Sequence, residues 1–74
     1  MIVPDARALG ALFRQRRKET GLTTTQTAAM AGLSRRLLSE FERGKRRNVG
    51  IRAVFALADT LGLSLAVEAR GLPG

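Results

Sequence analysis

Thr23 and Ser34 open the two halves of the stretch that most limits how this 74-residue chain can fold: Leu-Thr-Thr-Thr-Gln-Thr-Ala-Ala-Met-Ala-Gly-Leu-Ser-Arg-Arg-Leu-Leu-Ser-Glu-Phe-Glu-Arg-Gly, residues 22–44. A threonine or serine hydroxyl that accepts from a backbone N–H just ahead of it starts a helix. Thr23 and Gln26 have the spacing of a capping box, in which Gln26 returns a bond to the Thr23 N–H. Gly32 supplies a left-handed stop, Ser34 caps the next helix over about Arg35 to Arg43, and Gly44 ends it. Leu38 and Phe41, three apart, face inward. Ala28, Ala29 and Ala31 let a neighbouring helix approach closely. The stretch therefore predicts a helix-turn-helix, a layout that points side chains outward from its second helix.

The flanks read in the same way. Pro4 and Asp5 suit a helix start, Leu9, Leu12 and Phe13 recur at helical spacing, and Gly21 closes a first helix over about Asp5 to Thr20. Lys45 to Gly50 forms a basic loop. Ile51, Val54, Phe55, Leu57, Ala58 and Leu61 give a fourth amphipathic helix ending at Gly62. The expected fold is all-α: a compact four-to-five-helix bundle forming one domain over residues 1–74, with a helical core over 5–62. After Gly62 the period changes. Leu63, Leu65, Val67 and Ala69 alternate with smaller or polar residues, which predicts a short β-strand over 63–69 and a flexible tail over 70–74. A lone strand is not stable in water. Pairing with the same strand of a second copy about a two-fold axis would satisfy it, making those four residues a dimerisation element. The alternative is a frayed tail whose leucines cap the helical core.

Composition removes most chemistry. The chain has no cysteine and no histidine, so it lacks thiolate ligands, a disulfide framework, the usual general base and the commonest zinc ligand. Glu40 and Glu42 are two apart on one helix and project in different directions, so they make no acid/base pair. No glycine-rich phosphate loop and no metal-ligand spacing is present. We expect neither an enzyme nor a cofactor site. No apolar run approaches the roughly 20 residues that cross a bilayer, and the start resembles no signal peptide, which predicts a soluble cytoplasmic protein.

Charge points to a partner. The net charge is +7, and eleven of the 13 basic residues lie between Arg14 and Arg52, against three acidic ones. Such a concentrated field is the footprint of a polyanion partner, and an ordinary solvated basic surface is the other reading of charge alone. On a helix that enters the major groove, the first turn lies deepest. Arg35 and Arg36 stand there, and an arginine can donate two parallel bonds to guanine O6 and N7. One of the two reads a base in this scheme; the other role open to each is a phosphate contact. Ser39 lies about one turn further on and can meet a phosphate or base edge. Leu37 can touch a thymine methyl or stand as an ordinary exposed leucine, and Glu40, ranked below the arginines, can accept from cytosine N4. Thr23, Thr24, Thr25 and Ser34 crowd two helix N-termini, where hydroxyls and N–H groups suit phosphate oxygens; for Thr23 and Ser34, capping alone is the simpler role. Lys45, Arg46 and Arg47 are placed to touch flanking backbone.

Leu22-Thr23, Ala28, Gly32-Leu33-Ser34, Leu38-Ser39 and Phe41-Glu42-Arg43-Gly44 together closely resemble the Cro and phage-repressor-like (XRE) family of five-helix DNA-binding domains, over about residues 7 to 69. The resemblance implies a dimer on a palindromic double-stranded operator. It also implies an ion pair between Arg17 on the first helix and Glu42, which would make Arg17 structural. Leu9 to Lys18, Ser34 to Glu40 and Leu61 to Leu65 resemble the HipB-type branch, whose members are antitoxins that repress their own operon and bind a HipA-type kinase toxin. Two positions depart from the family pattern: Thr24 stands where glutamine is usual, and Thr27 where an inward leucine is usual. A free-standing or prophage regulator without a toxin, and a protein-interaction module with a basic face, are the other readings of the same residues.

Overall fold

The computed structural model describes residues 3, 5–46, 48–67, 69 and 71. Four helices follow in order: α1 (Ala6–Thr20), α2 (Thr24–Ala31), α3 (Arg35–Glu42) and α4 (Ile51–Leu61). Each starts and stops for a local reason. Asp5 caps α1 by accepting from the Ala8 N–H at 2.8 Å. Thr23 Oγ1 accepts from the Gln26 N–H at 3.1 Å while Gln26 Oε1 accepts from the Thr23 N–H at 2.9 Å, so the capping box is complete. Ser34 Oγ accepts from the Leu37 N–H at 3.0 Å. Past α3, Gly44 takes a φ of 69°, which lets the Lys45 N–H reach back to the Glu40 carbonyl at 2.9 Å.

The helices enclose one core. α1 packs on α3 and α4, and α2 packs on the same two. Phe13, Ala28, Leu38, Phe41, Val54, Leu57, Ala58 and Leu61 are buried together, with Leu9, Leu22, Leu33 and Val49 against them. The Phe13 and Phe41 rings meet edge to face, centroids 5.6 Å apart. On α4 the buried face is Ala53, Val54, Leu57, Ala58 and Leu61. Ile51 and Phe55, expected within this stripe, stand outside it, 67% and 51% exposed. Ile51 is the first residue of α4, beyond the end of the packed face, and Phe55 lies at the flank of that face.

One further expectation needs correction. Among the described residues the bundle has four helices, within the expected four to five, and no strand. The β-strand expected over 63–69 is not seen in the described residues of that span, 63–67 and 69. Leu63 has already spent its N–H on closing α4, donating to the Ala58 carbonyl at 2.8 Å, and its side chain packs half-buried on the core. Leu65, Val67 and Ala69 are exposed, and among the described residues no second strand lies beside them. Alternation is a necessary pattern for a strand, but ladder hydrogen bonds need a second strand. Glu68 and, Gly71 apart, the tail expected to be flexible over 70–74 lie outside the described residues.

Candidate nucleic-acid interface

The seat of α3 determines what it can present. Gly10, Phe13 and Arg17 recur at i, i+3 and i+7 along α1 and form the face turned to α3. Gly10 is buried so tightly that a Cβ there would overlap the Phe41 carbonyl oxygen and lie 3.0 Å from its carbon. At the other end, Arg17 grips Glu42 through two parallel bonds, Nε to Oε2 at 2.7 Å and Nη2 to Oε1 at 2.9 Å. Its remaining nitrogen, Nη1, donates to the Leu22 carbonyl at 3.0 Å, so one guanidinium fixes both the end of α3 and the approach to α2. The side chains are 12% and 5% exposed, so the pair is largely removed from water. The Glu42 hydrogen bond raises the Arg17 pKa above the ordinary guanidinium value; burial lowers it by less, and the Glu42 charge adds a smaller rise. Arg17 therefore stays charged across the working pH range, and the ion pair implied by family resemblance is present.

The neighbouring Arg16 does the same for α4, donating through Nε to the Leu61 carbonyl at 2.8 Å. An arginine at a helix C-terminus satisfies a carbonyl with no partner inside the helix and meets the negative end of the dipole. Sequence reasoning missed this role, and also that of Gly10. The signal for Arg16 is faint: a long cation on the first helix and a glycine stop far away in sequence. Two of the basic residues counted toward a polyanion field are thus committed within the fold.

With its inner face fixed, α3 turns Arg35 and Arg36 to solvent in its first turn, the Arg36 side chain 86% exposed. Arg36, Glu40 and Arg43 recur at i, i+4 and i+7, opposite the buried Leu38, Phe41 and Glu42. Arg43 is exposed and was not singled out from the sequence; the stripe would have revealed it. Leu37 and Ser39 are half-buried at the flanks. Glu40 is half-buried between two arginines: Oε1 accepts from Arg46 Nη1 at 2.9 Å, and Oε2 stands in a looser ion pair 3.7 Å from Arg36 Nε. Lys45 is exposed, Arg46 is half-buried, and Arg47 lies outside the described residues.

Thr23, Thr25 and Ser34 are exposed and Thr24 is half-buried, at the starts of α2 and α3. Capping and phosphate contact are compatible here. Thr23 and Ser34 accept a backbone bond, which leaves each hydroxyl hydrogen to donate. The first N–H groups of each helix have no intrahelical acceptor and face the same way as the helix dipole's positive end. The structure so brings together an outward arginine turn, hydroxyl-rich helix starts and a basic loop after α3. Leu65, Val67 and Ala69 are exposed and none belongs to the buried core cluster.

Residues 8–71 match the family described as Helix-turn-helix domain. A relative named "Uncharacterized HTH-type transcriptional regulator y4dJ", from Sinorhizobium fredii (strain NBRC 101917 / NGR234), is 43% identical over 61 residues, which is 81% of this chain and 78% of the relative. A match spanning nearly the whole helical core, with the capped α2–turn–α3 unit in place, makes this chain a member of the helix-turn-helix domain family.

Proposed function

We propose that the chain is a DNA-binding transcription regulator that lays α3 in the major groove of a specific operator. One observation carries this reading: Arg35 and Arg36 project from the first turn of a helix whose opposite face is locked by Gly10, Phe13 and Arg17. Rigid seating matters because a groove contact is directional; a bidentate arginine–guanine pair discriminates by roughly 1–3 kcal/mol only when its approach is fixed. Thr23, Thr24, Thr25 and Ser34 set the register on phosphates, and Lys45, Arg46 and Arg43 add flanking charge. The relative's name as a transcriptional regulator supports the same reading.

The test is a gel-retardation assay on duplexes selected from a random pool by the wild-type protein. Replacing both Arg35 and Arg36 by Ala abolishes retardation while the thermal melt stays unchanged. Undiminished retardation overturns groove reading by these arginines, whereas a folded wild type that selects and retards no duplex favours a protein-interaction module with a basic face.

The finer reading is a repressor that acts as a homodimer on a palindrome, in the manner of a HipB-like antitoxin with a HipA-type kinase toxin as partner. Its support is the resemblance of Leu9 to Lys18, Ser34 to Glu40 and the Leu61–Leu65 tail to that branch. Assembly draws support from large apolar side chains that one chain leaves uncovered: Met30, Ile51, Phe55, Leu65 and Val67, the last fully exposed. Half-sites would then lie about one helical turn apart, roughly 34–36 Å. Sedimentation of the chain with and without residues 64–74 tests the tail's part. The full chain sediments as a dimer and the shortened one as a monomer; a dimer that survives the deletion overturns tail-mediated assembly. A kinase-like reading frame beside the gene supports the antitoxin role over a free-standing regulator.

A further inference from the structure

Glu40 is an anion at the centre of a face that otherwise presents cations. It lies between Arg36 and Arg43 on the outward stripe of α3, opposite the buried Leu38 and Phe41. Its carboxylate is not free. Oε1 accepts from Arg46 Nη1 at 2.9 Å, and Oε2 stands 3.7 Å from Arg36 Nε. Arg46 is held twice, because its Nε also donates to the Asn48 carbonyl at 3.3 Å. The guanidinium is therefore strapped between the reading helix and the loop that follows it, and its charge is directed at Glu40.

We propose that Glu40 is an intramolecular counterion that occupies Arg46 and so weakens binding of the reading face to duplex DNA of any sequence. The inference rests on the DNA-binding role proposed above. A phosphate that approaches Arg46 meets a guanidinium whose charge Glu40 already offsets, and Glu40 itself repels the incoming phosphate. The exchange is feasible because the pair is only partly buried: the Arg46 side chain is 38% exposed and that of Glu40 27%. Ion pairs of this kind are weak and compete readily with solvent ions. Phosphate contacts carry no sequence information, so the penalty falls on every duplex alike. A role for Glu40 as acceptor from cytosine N4 makes the opposite demand: its loss would weaken binding, and only to a duplex that places cytosine there.

The experiment measures fluorescence anisotropy of a labelled random-sequence duplex titrated with wild type, E40Q, R46Q and the double variant across a salt series. Glutamine keeps the shape of Glu40 and removes its charge, and a thermal melt confirms that each variant is folded. E40Q is expected to bind about threefold to fivefold tighter than wild type near 0.1 M salt. Its plot of log K against log salt becomes steeper by about 0.9, the contribution of one added phosphate contact. In the R46Q background the larger part of the E40Q gain disappears, since Arg46 is the closer of the two cations that Glu40 pairs, Arg36 standing 3.7 Å away. Equal or weaker binding by E40Q overturns the proposal, as does an equal gain with and without Arg46, which would make Glu40 a general repulsive charge. Folded wild type that binds no duplex at any salt overturns the DNA-binding role itself and this inference with it, an outcome distinct from wild type that binds while E40Q changes nothing.

Discussion

The reading helix is held from two sides, and the two sides are built differently. Toward α1, three independent contacts line up on one face: a glycine that admits the Phe41 backbone, an edge-to-face pair of phenylalanines, and a two-bond ion pair between Arg17 and Glu42. The α2 side relies on small residues. Ala28 is buried, Leu33 folds against the core after the Gly32 turn, and Thr27 is fully buried with a hydroxyl that has no hydrogen-bond partner. The helix named in the motif as the partner of α3 is thus the weaker support. What orients the recognition surface is a helix outside the motif, and each of its contacts has a separate physical origin: sterics, ring packing and paired charge.

Arg17→Ala tests this contrast with the largest effect. Removing one member of a buried pair strands the other charge, at a cost of about 3–5 kcal/mol. A small domain has about 5–15 kcal/mol in total, so a large share of its stability is at stake. The expected fall in Tm is more than about 12 °C by calorimetry or circular dichroism. Arg17→Lys recovers only part of it, because an ammonium cannot reproduce two parallel bonds. An unchanged melt for Arg17→Ala would place the strength of the seat elsewhere.

Gly10→Ala comes next. The added methyl meets backbone of α3, which cannot rotate away as a side chain can. Overpacking usually costs about 1–3 kcal/mol, and this contact falls at the upper end because the only relief is to push α1 and α3 apart. That displacement also strains the Phe13–Phe41 pair and the grip on Glu42. The variant should lose affinity for duplex DNA beyond what its lower Tm explains, measured at a temperature where it is fully folded. If Tm falls and affinity holds, α1 stabilises α3 without orienting it.

How much of this was legible follows the distance over which each contact acts. The caps at Thr23 and Ser34 and the stops at Gly32 and Gly62 are local chemistry, and the residues alone located every described helix. The outward position of Arg35 and Arg36 followed from the same caps. The Arg17–Glu42 pair was reached only through family resemblance, since nothing in the spacing of two residues so far apart marks them as partners. Gly10 and Arg16 were not legible in either way: their roles exist only once α1 has docked on a backbone carbonyl of another helix. Ile51 and Phe55 show the limit of periodicity, which gives a face without its width. The tail shows another limit, because alternating leucines satisfy both a strand and the closing turn of a helix, and Leu63 serves the second.

Thr27→Val sharpens the contrast from the other side, with the smallest effect and the opposite sign. The site lies in α2, where threonine and valine have similar helix propensity, so the backbone preference scarcely changes. The two side chains are close in volume, and the swap exchanges a buried hydroxyl for a methyl. An unpaired buried polar group costs about 1–3 kcal/mol relative to a satisfied one. Because a threonine hydroxyl can recover part of this by leaning toward the carbonyl one turn back, here that of Thr23, the gain should sit near the lower bound, about 1 kcal/mol. That corresponds to a rise in Tm of about 4–8 °C for a domain of this size. A rise shows that the α2 side is weak through this polar atom, and combining Thr27→Val with Arg17→Ala should then return roughly that increment. A fall would mean that the hydroxyl is satisfied in solution, and that the two sides of α3 differ less in strength than their contacts indicate.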